Sequence, residues 1–496
     1  MDVQTSLLGL ETPGGRTISQ SLIRSELPLP EGRDVSEVLL VQARATTETA
    51  ACGRGVVEVG GRLELNCVCR GLSGEIYGFS AGSAFTHSIP MDRAEETMAA
   101  EVTAQVLECG ASPDGLRLQL NAVLELSAFL IVPVKTPFLT GVSGASAMEQ
   151  RKKSLSVSRK VCLGETTLRL REENDAHGVM ALLVYSGETE VTKVHFSGAN
   201  LCETEGKVLV TALVETENGS FRQMLFSLPF TCSFDAAFQP DVWVEATLVS
   251  LSVIAADVSF GVADTEAVVK LSLMGVETVE HEVLEDAYAC DGGCTCNQLR
   301  VDRLLCRGCG EKTFTLTENV LIPENTAGAA LPDAKRAVAA YAMPAVTGLF
   351  QREGCLYADA MLLTGVLYED GDGRLRHFTE DIPVQLGFDA PFTPDAVVEL
   401  CTLSTEAAGA GRTLSVTYTL RGRAVLYDTE GTLLAESLTP GTAGKAHSGI
   451  LLYAAGEGET AWDVGKRFQV PVDALHTWNG ALSEPLSDGQ MIVLIR

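Results

Sequence analysis

The amino-acid sequence predicts a mainly β protein: three repeated, sandwich-like β-rich modules followed by a small βααβ unit. Three observations carry that expectation. Apolar residues alternate with polar ones in Val56-Val57-Glu58-Val59, Leu63-Glu64-Leu65, Val208-Leu209-Val210 and Leu414-Ser415-Val416-Thr417-Tyr418, as in strands with one buried face. Turn residues stand beside such runs, at Gly60-Gly61, Glu217-Asn218-Gly219 and Glu369-Asp370-Gly371-Asp372-Gly373, where positive φ angles suit tight hairpins. The third observation is internal similarity. NGSFRQMLFSLPFTCSFDAAFQPDVWVEATL, starting at Asn218, aligns without a gap on DGRLRHFTEDIPVQLGFDAPFTPDAVVELCTL, starting at Asp372.

The intervals define the modules. Gly219 to Pro229 and Gly373 to Pro383 are both ten residues, Pro229 to Phe234 and Pro383 to Phe388 both five, and Phe234 to Val244 and Phe388 to Val398 both ten. A weaker first copy keeps the ten and five spacing at Gly74, Ala84 and Ile89. These spacings place modules near residues 20–135, 154–289 and 295–437, expected to share one topology and to pack end to end. The Phe-Asp pairs, Phe234-Asp235 and Phe388-Asp389, read as turns in which Phe fills the core and Asp bonds nearby backbone N–H groups, the alternative being a recognition motif. Each copy also carries a Val-Glu pair, at Val244-Glu245 and Val398-Glu399.

The last fifty residues change pattern. Ile450–Tyr453 reads as a strand. Thr460 is a candidate N-cap for a helix whose Ala461, Val464 and Phe468 share one face. Pro471 suits the first turn of a second helix with Leu475 and Trp478 inward, ended by Asn479-Gly480. Gly489-Gln490 then leads into a strand over Met491–Ile495, so residues 448–496 form the βααβ unit.

Composition narrows the function. A chain of 496 residues exceeds the roughly 250–300 that one core sustains. Its 46% hydrophobic and 21% charged residues are those of a globular protein. The formal charge of −28, from 37 Lys and Arg against 65 Asp and Glu, repels nucleic acid and anionic membrane surfaces, which leaves protein or neutral glycan as expected partners. The N-terminus lacks a basic segment followed by an apolar core. The best apolar run, Leu126–Val134, is about half of the ~20 residues a membrane span needs. The expectation is a cytoplasmic protein without membrane insertion, whose 14 Cys are reduced. Isolated Cys162, Cys202, Cys355 and Cys401 then read as small core residues.

Catalytic motifs are not apparent. Seven scattered His residues form no His-Glu-x-x-His, and no nucleophile elbow or phosphate-binding loop is present, so a non-enzymatic role is expected. One cluster could hold metal. Cys294-Thr-Cys296 and Cys306-Arg-Gly-Cys309 offer four thiolates for one tetrahedral ion, which makes structural zinc the candidate cofactor. The alternative is a loop of reduced thiols between modules.

Two resemblances follow from these residues. Tyr453, Gly458, Thr460, Phe468, Leu475, Asn479, Gly489 and Gln490 resemble the pattern of a LysM domain, with Glu459 in place of the usual Asp and Trp462 in place of a small apolar residue. That likeness implies a binding face of Gly458, Glu459, Thr460, Trp462, Asn479 and Gly480; Trp462 itself, beside the loop, reads either as a core residue of a small domain or as an exposed or half-exposed anchor. The Phe-Asp and Val-Glu blocks, with Val283-Leu284-Glu285-Asp286-Ala287-Tyr288, resemble SPOCS domains over roughly residues 20–437. The combination is similar to the SipL-like family of spore-coat morphogenetic proteins. It implies a mother-cell protein at the forespore surface, linking coat proteins and docking a SpoIVA-like coat-basement ATPase through the LysM unit. The alternative is a cell-envelope LysM protein that binds peptidoglycan or N-acetylglucosamine.

Overall fold

The computed structural model describes residues 2–115, 117–143, 148–256, 261–290, 294–326, 329–440 and 449–495, and the chain is mainly β. The first segment contains β1 (Asp2–Pro28), β2 (Glu37–Gly53), β3 (Val56–Arg70), β4 (Ile76–Pro90), β5 (Ala99–Asp114) and β6 (Arg117–Ser143). The second contains β7 (Met148–Asp175), β8 (Val179–Phe196), β9 (Leu201–Thr216), β10 (Phe221–Asp235), β11 (Val242–Ala256) and β12 (Val262–Ala289). The third opens with β13 (Cys294–Leu321) and a small hairpin of β14 (Asn325–Thr326) and β15 (Ala329–Ala330). It continues with β16 (Ala334–Arg352), β17 (Cys355–Asp370), β18 (Leu375–Pro391), β19 (Val397–Ala408) and β20 (Thr413–Pro440).

Each segment folds into two antiparallel three-stranded layers with one strand order. The layers are β2-β3-β4 with β1-β6-β5, β8-β9-β10 with β7-β12-β11, and β16-β17-β18 with β13-β20-β19; the β7-β12-β11 and β13-β20-β19 layers join into one six-stranded sheet through the Tyr288–Thr295 pair. Alternating burial along β3 and β17 puts Val57, Val59, Leu63 and Leu65, and likewise Leu356, Ala358, Ala360 and Leu362, into the space between layers. The turns leading into β4, β10 and β18 hold Gly74, Gly219 and Gly373 at φ 92°, 73° and 76°. A side chain there would strain the backbone, which explains the glycine at each spacing.

The irregularities match as well. A one-residue bulge interrupts β5 at Val106/Glu108, β11 at Leu248/Ser250 and β19 at Thr402/Ser404, in each case opposite the same place in the long neighbour: Leu124/Val123, Val269/Val268 and Leu420/Thr419. Such bulges bend a strand and raise its twist. Pro229 and Pro383 both lie inside the fourth long strand of their segments, on β10 and β18. Phe234 and Phe388 follow on the same strands, both buried. The Phe-Asp pairs are therefore strand residues and not turns. Asp389 points outward, 84% exposed, and pairs with Lys312 at 2.8 Å.

The long ribbons β1–β6, β7–β12 and β13–β20 extend past their sandwiches, and this decides how the segments associate. Phe138, Val283 and Leu434 each stand 21 residues beyond the starts of their strands at Arg117, Val262 and Thr413. They meet in one buried cluster with Leu8, Leu10, Leu155 and Val157. The next residues, Leu139, Leu284 and Ala435, meet in a second cluster. Apolar ribbon faces that protrude from a sandwich would otherwise stay in water, and three ribbons cover one another. The segments consequently pack side by side, each against the other two, instead of end to end.

Two further expectations are corrected. The first segment extends from Asp2 to Ser143, beyond 20–135 at both ends, because residues 2–19 pair along β6 and Gly14 is accommodated as a bulge between Pro13 and Gly15. Of the isolated cysteines only Cys202 is buried; Cys162 and Cys355 are exposed on strand faces that look outward, and Cys401 is partly exposed.

The terminal unit comprises β21 (Ile450–Ala454), α1 (Ala461–Phe468), α2 (Val472–Asn479) and β22 (Met491–Ile495); residues 448 and 496 of the expected range lie outside the described residues. Thr460 and Asp463 form a reciprocal capping box. Ala455, Val464, Val470, Leu475, Leu486, Ile492 and Leu494 make the core, with Phe468 and Trp478 against it. No helix among the described residues is long and apolar enough to cross a membrane.

Candidate functional site

The terminal unit is seated on the end of β12. Trp462 and Lys466 are one turn apart on α1 and so share a face. Trp462 Nε1 donates to Asp286 Oδ2 at 2.9 Å, and Lys466 Nζ lies 2.7 Å from both carboxylate oxygens of Asp286. Asp286 is 3% exposed, so the contact satisfies a carboxylate that would be costly to leave alone. The Tyr288 ring meets Trp462 edge-on at 5.0 Å, and its hydroxyl donates to the Val470 carbonyl at 2.8 Å. Arg151, the register partner of Asp286, lies 5.2 Å from the centre of the Trp462 ring. A Cβ on Gly465 would stand 2.4 Å from the Tyr288 hydroxyl, so this helical glycine opens the notch that Tyr288 enters. Burial pushes the Tyr288 ionisation up and keeps the hydroxyl a donor.

Trp462 is only 9% exposed, which fits the buried alternative and not the exposed anchor. Its partner lies 176 residues away in sequence, which local reading does not reach. The other expected face residues remain within the terminal unit. The Glu459 carboxylate accepts from Gly456 N–H at 2.9 Å and from the Tyr453 hydroxyl, and pairs with Arg467 at 2.7 Å. The Gly456 hydrogen bond leads the interactions that hold it below its ordinary value of 4.5. Thr460 caps α1. Asn479 ties the end of α2 to β22, donating to the Leu475 and Val493 carbonyls at 2.9 Å and accepting from Val493 N–H at 2.6 Å. Gly458 and Gly480 are exposed, at φ 76° and 75°.

A second polar centre lies where the three segments face one another, around a cavity of about 600 Å³ lined by Arg44, Glu188, Glu245, Glu399, Arg421 and Arg423 among others. Arg44 grips Glu188 of the second segment, at 2.9 Å from Nε and 3.1 Å from Nη2, and donates to the Gly187 carbonyl at 3.0 Å. Lys160 bridges Glu101 at 2.8 Å and Glu245 at 3.1 Å, while Tyr427 of the third segment donates to Glu101 at 2.9 Å. Burial raises the Glu188 carboxyl against the opposing pull of Arg44, whereas Arg423 holds Glu399 below its usual range. The Arg44–Glu188, Lys160–Glu101 and Tyr427–Glu101 bonds cross segment boundaries, so the network fixes how the segments sit together. Glu245 and Glu399 belong to the two Val-Glu pairs: Val244 and Val398 are buried and the adjacent Glu faces the cavity. That repeated pair was the signal for this centre.

The four-thiolate centre does not form. Cys294, Cys296, Cys306 and Cys309 all lie on β13. Ten residues of strand separate Cys296 from Cys306, about 33 Å at the rise of an extended chain, where zinc needs sulfurs roughly 4 Å apart. Cys296 packs with Leu139, Leu284 and Ala435. Cys306 and Cys309 sit near Phe129, Leu304 and Tyr427, where burial pushes their thiols up to about 11 and about 12. Among the described residues no three His, Cys, Asp or Glu side chains are grouped as metal ligands. Compared with known proteins, the chain matches no family model, no curated protein and no solved structure.

Proposed function

We propose that the chain is a non-enzymatic assembly protein of the spore coat, with three SPOCS-type modules as its body and a LysM-type unit as its docking head. It would act in the mother-cell cytoplasm at the forespore surface, joining coat proteins to a SpoIVA-like ATPase. The observation that carries this reading is the contact between Asp286 and Trp462. It joins the two stretches that bear the family resemblance, Val283–Tyr288 and the βααβ unit, so body and head are fitted to each other. The polar network between segments supports a rigid body suited to presenting interaction faces.

The test is capture of a purified SpoIVA-like ATPase by the full chain, together with the position of the tagged chain in a sporulating cell. Capture and a ring around the forespore are the expected results. Retention on peptidoglycan without ATPase capture transfers the assignment to the glycan reading.

A further inference from the structure

The three ribbon ends are equivalent in backbone but not in chemistry. A one-residue bulge precedes Gly141 on β6, Asp286 on β12 and Ser437 on β20. Two residues further on stand Ser143, Tyr288 and Thr439. Only β12 therefore offers a carboxylate followed at i+2 by an aromatic ring, on one face of an extended segment. The receiving surface is complementary: Trp462 Nε1–H and Lys466 Nζ meet the carboxylate, and the notch left by Gly465, closed by the Val470 carbonyl, takes the tyrosine. Charge-assisted donors and a shaped aromatic slot are how a protein surface reads a short peptide.

We infer that the Trp462–Lys466 face is the partner-reading surface of the terminal unit, and that Asp286-Ala287-Tyr288 is its resident internal ligand. The inference rests on the docking role proposed above and specifies the partner: an extended protein segment with an acidic residue followed two positions later by an aromatic one. Such a segment displaces β12 from the face. The covalent link makes the internal ligand compete at an effective concentration on the order of millimolar, which lowers the apparent affinity for a partner by the fraction of chains with the face open. The seated state also carries a local cost: burial, and then the like charge of Asp473 across the contact, pushes the Glu149 carboxyl up.

The probe is a fluorescent peptide with the chain's own sequence from His281 to Ala289, added to full-length protein and followed by polarisation. Asp286→Asn with Tyr288→Ala empties the face and should tighten peptide binding by roughly tenfold or more, the change expected from losing a charge-assisted hydrogen bond. Asp286→Asn alone, which preserves packing, should move it in the same direction by less. Lys466→Met on the emptied background should abolish the gain. Equal binding by the wild type and both variants, or none by any, overturns the inference. Because no ATPase is present, this outcome is separate from failure of the assembly reading, which shows as lost ATPase capture while peptide binding persists.

Discussion

The end of β12 and the end of β20 have the same backbone and different fates. Both carry a bulge at the same step, at Glu285 and Glu436, and both bury the two residues before it, Val283 and Leu284 against Leu434 and Ala435. Beyond the bulge they diverge. On β20, Ser437 accepts from Asn297 of its own ribbon at 3.0 Å. On β12, Asp286 turns its carboxylate to α1 of the terminal unit. The difference separates positions that build the fold, which stay apolar in every copy, from positions that build an interaction, which change chemistry between copies.

Breaking a shared position should have the largest effect. Leu434→Ala removes a fully buried side chain from the three-ribbon cluster and should cost about 2–5 kcal/mol, read as a lower urea midpoint. A loss below about 1 kcal/mol would mean that the ribbons do not depend on one another. Breaking the unshared position should cost less and act locally. Asp286→Ala leaves Trp462 Nε1 without its acceptor and should lose about 1–3 kcal/mol from seating of the terminal unit, whereas Ser437→Ala should stay within about 1 kcal/mol. Equal losses at the two sites would erase the distinction.

Acid acts on the terminal unit through Glu459. The folded-state pKa of Glu459 lies below its ordinary 4.5, so its contribution is complete above the unfolded value and is lost as pH falls through the folded one. Melting of the terminal unit should weaken below about pH 4.5 in the wild type, and Glu459→Gln should flatten that dependence. A profile unchanged by the substitution would remove Glu459 from the acid response. The smallest effect is expected at Asp389, 84% exposed, where Asn should change stability by less than about 0.5 kcal/mol.

How much of this could be read from the sequence depended on range. Period-2 alternation revealed strands, since burial of one sheet face is a local pattern. Gly219 and Gly373 marked turns because their backbone requirement is local too, whereas Gly60-Gly61 lie inside β3 and take no positive φ, so the turn expected there does not form. Residues 2–19 lie outside the module that the spacing defines, and although Pro13-Gly14-Gly15 has the composition of a turn, the long partner β6 keeps it in a strand. The thiols of β13 had metal-like spacing, but an extended backbone spreads such a spacing along a line. Trp462 was singled out for its place beside a loop; what it touches is set by packing between distant segments.

Hydrogen exchange on the full chain, compared with Asp286→Ala, tests the seating of the terminal unit most directly. Seating through Asp286 predicts faster exchange in the variant at Ala461–Val470 and at Leu284–Ala289 together, with β9 and β17 unchanged. Identical protection of Ala461–Val470 in the two proteins would contradict it.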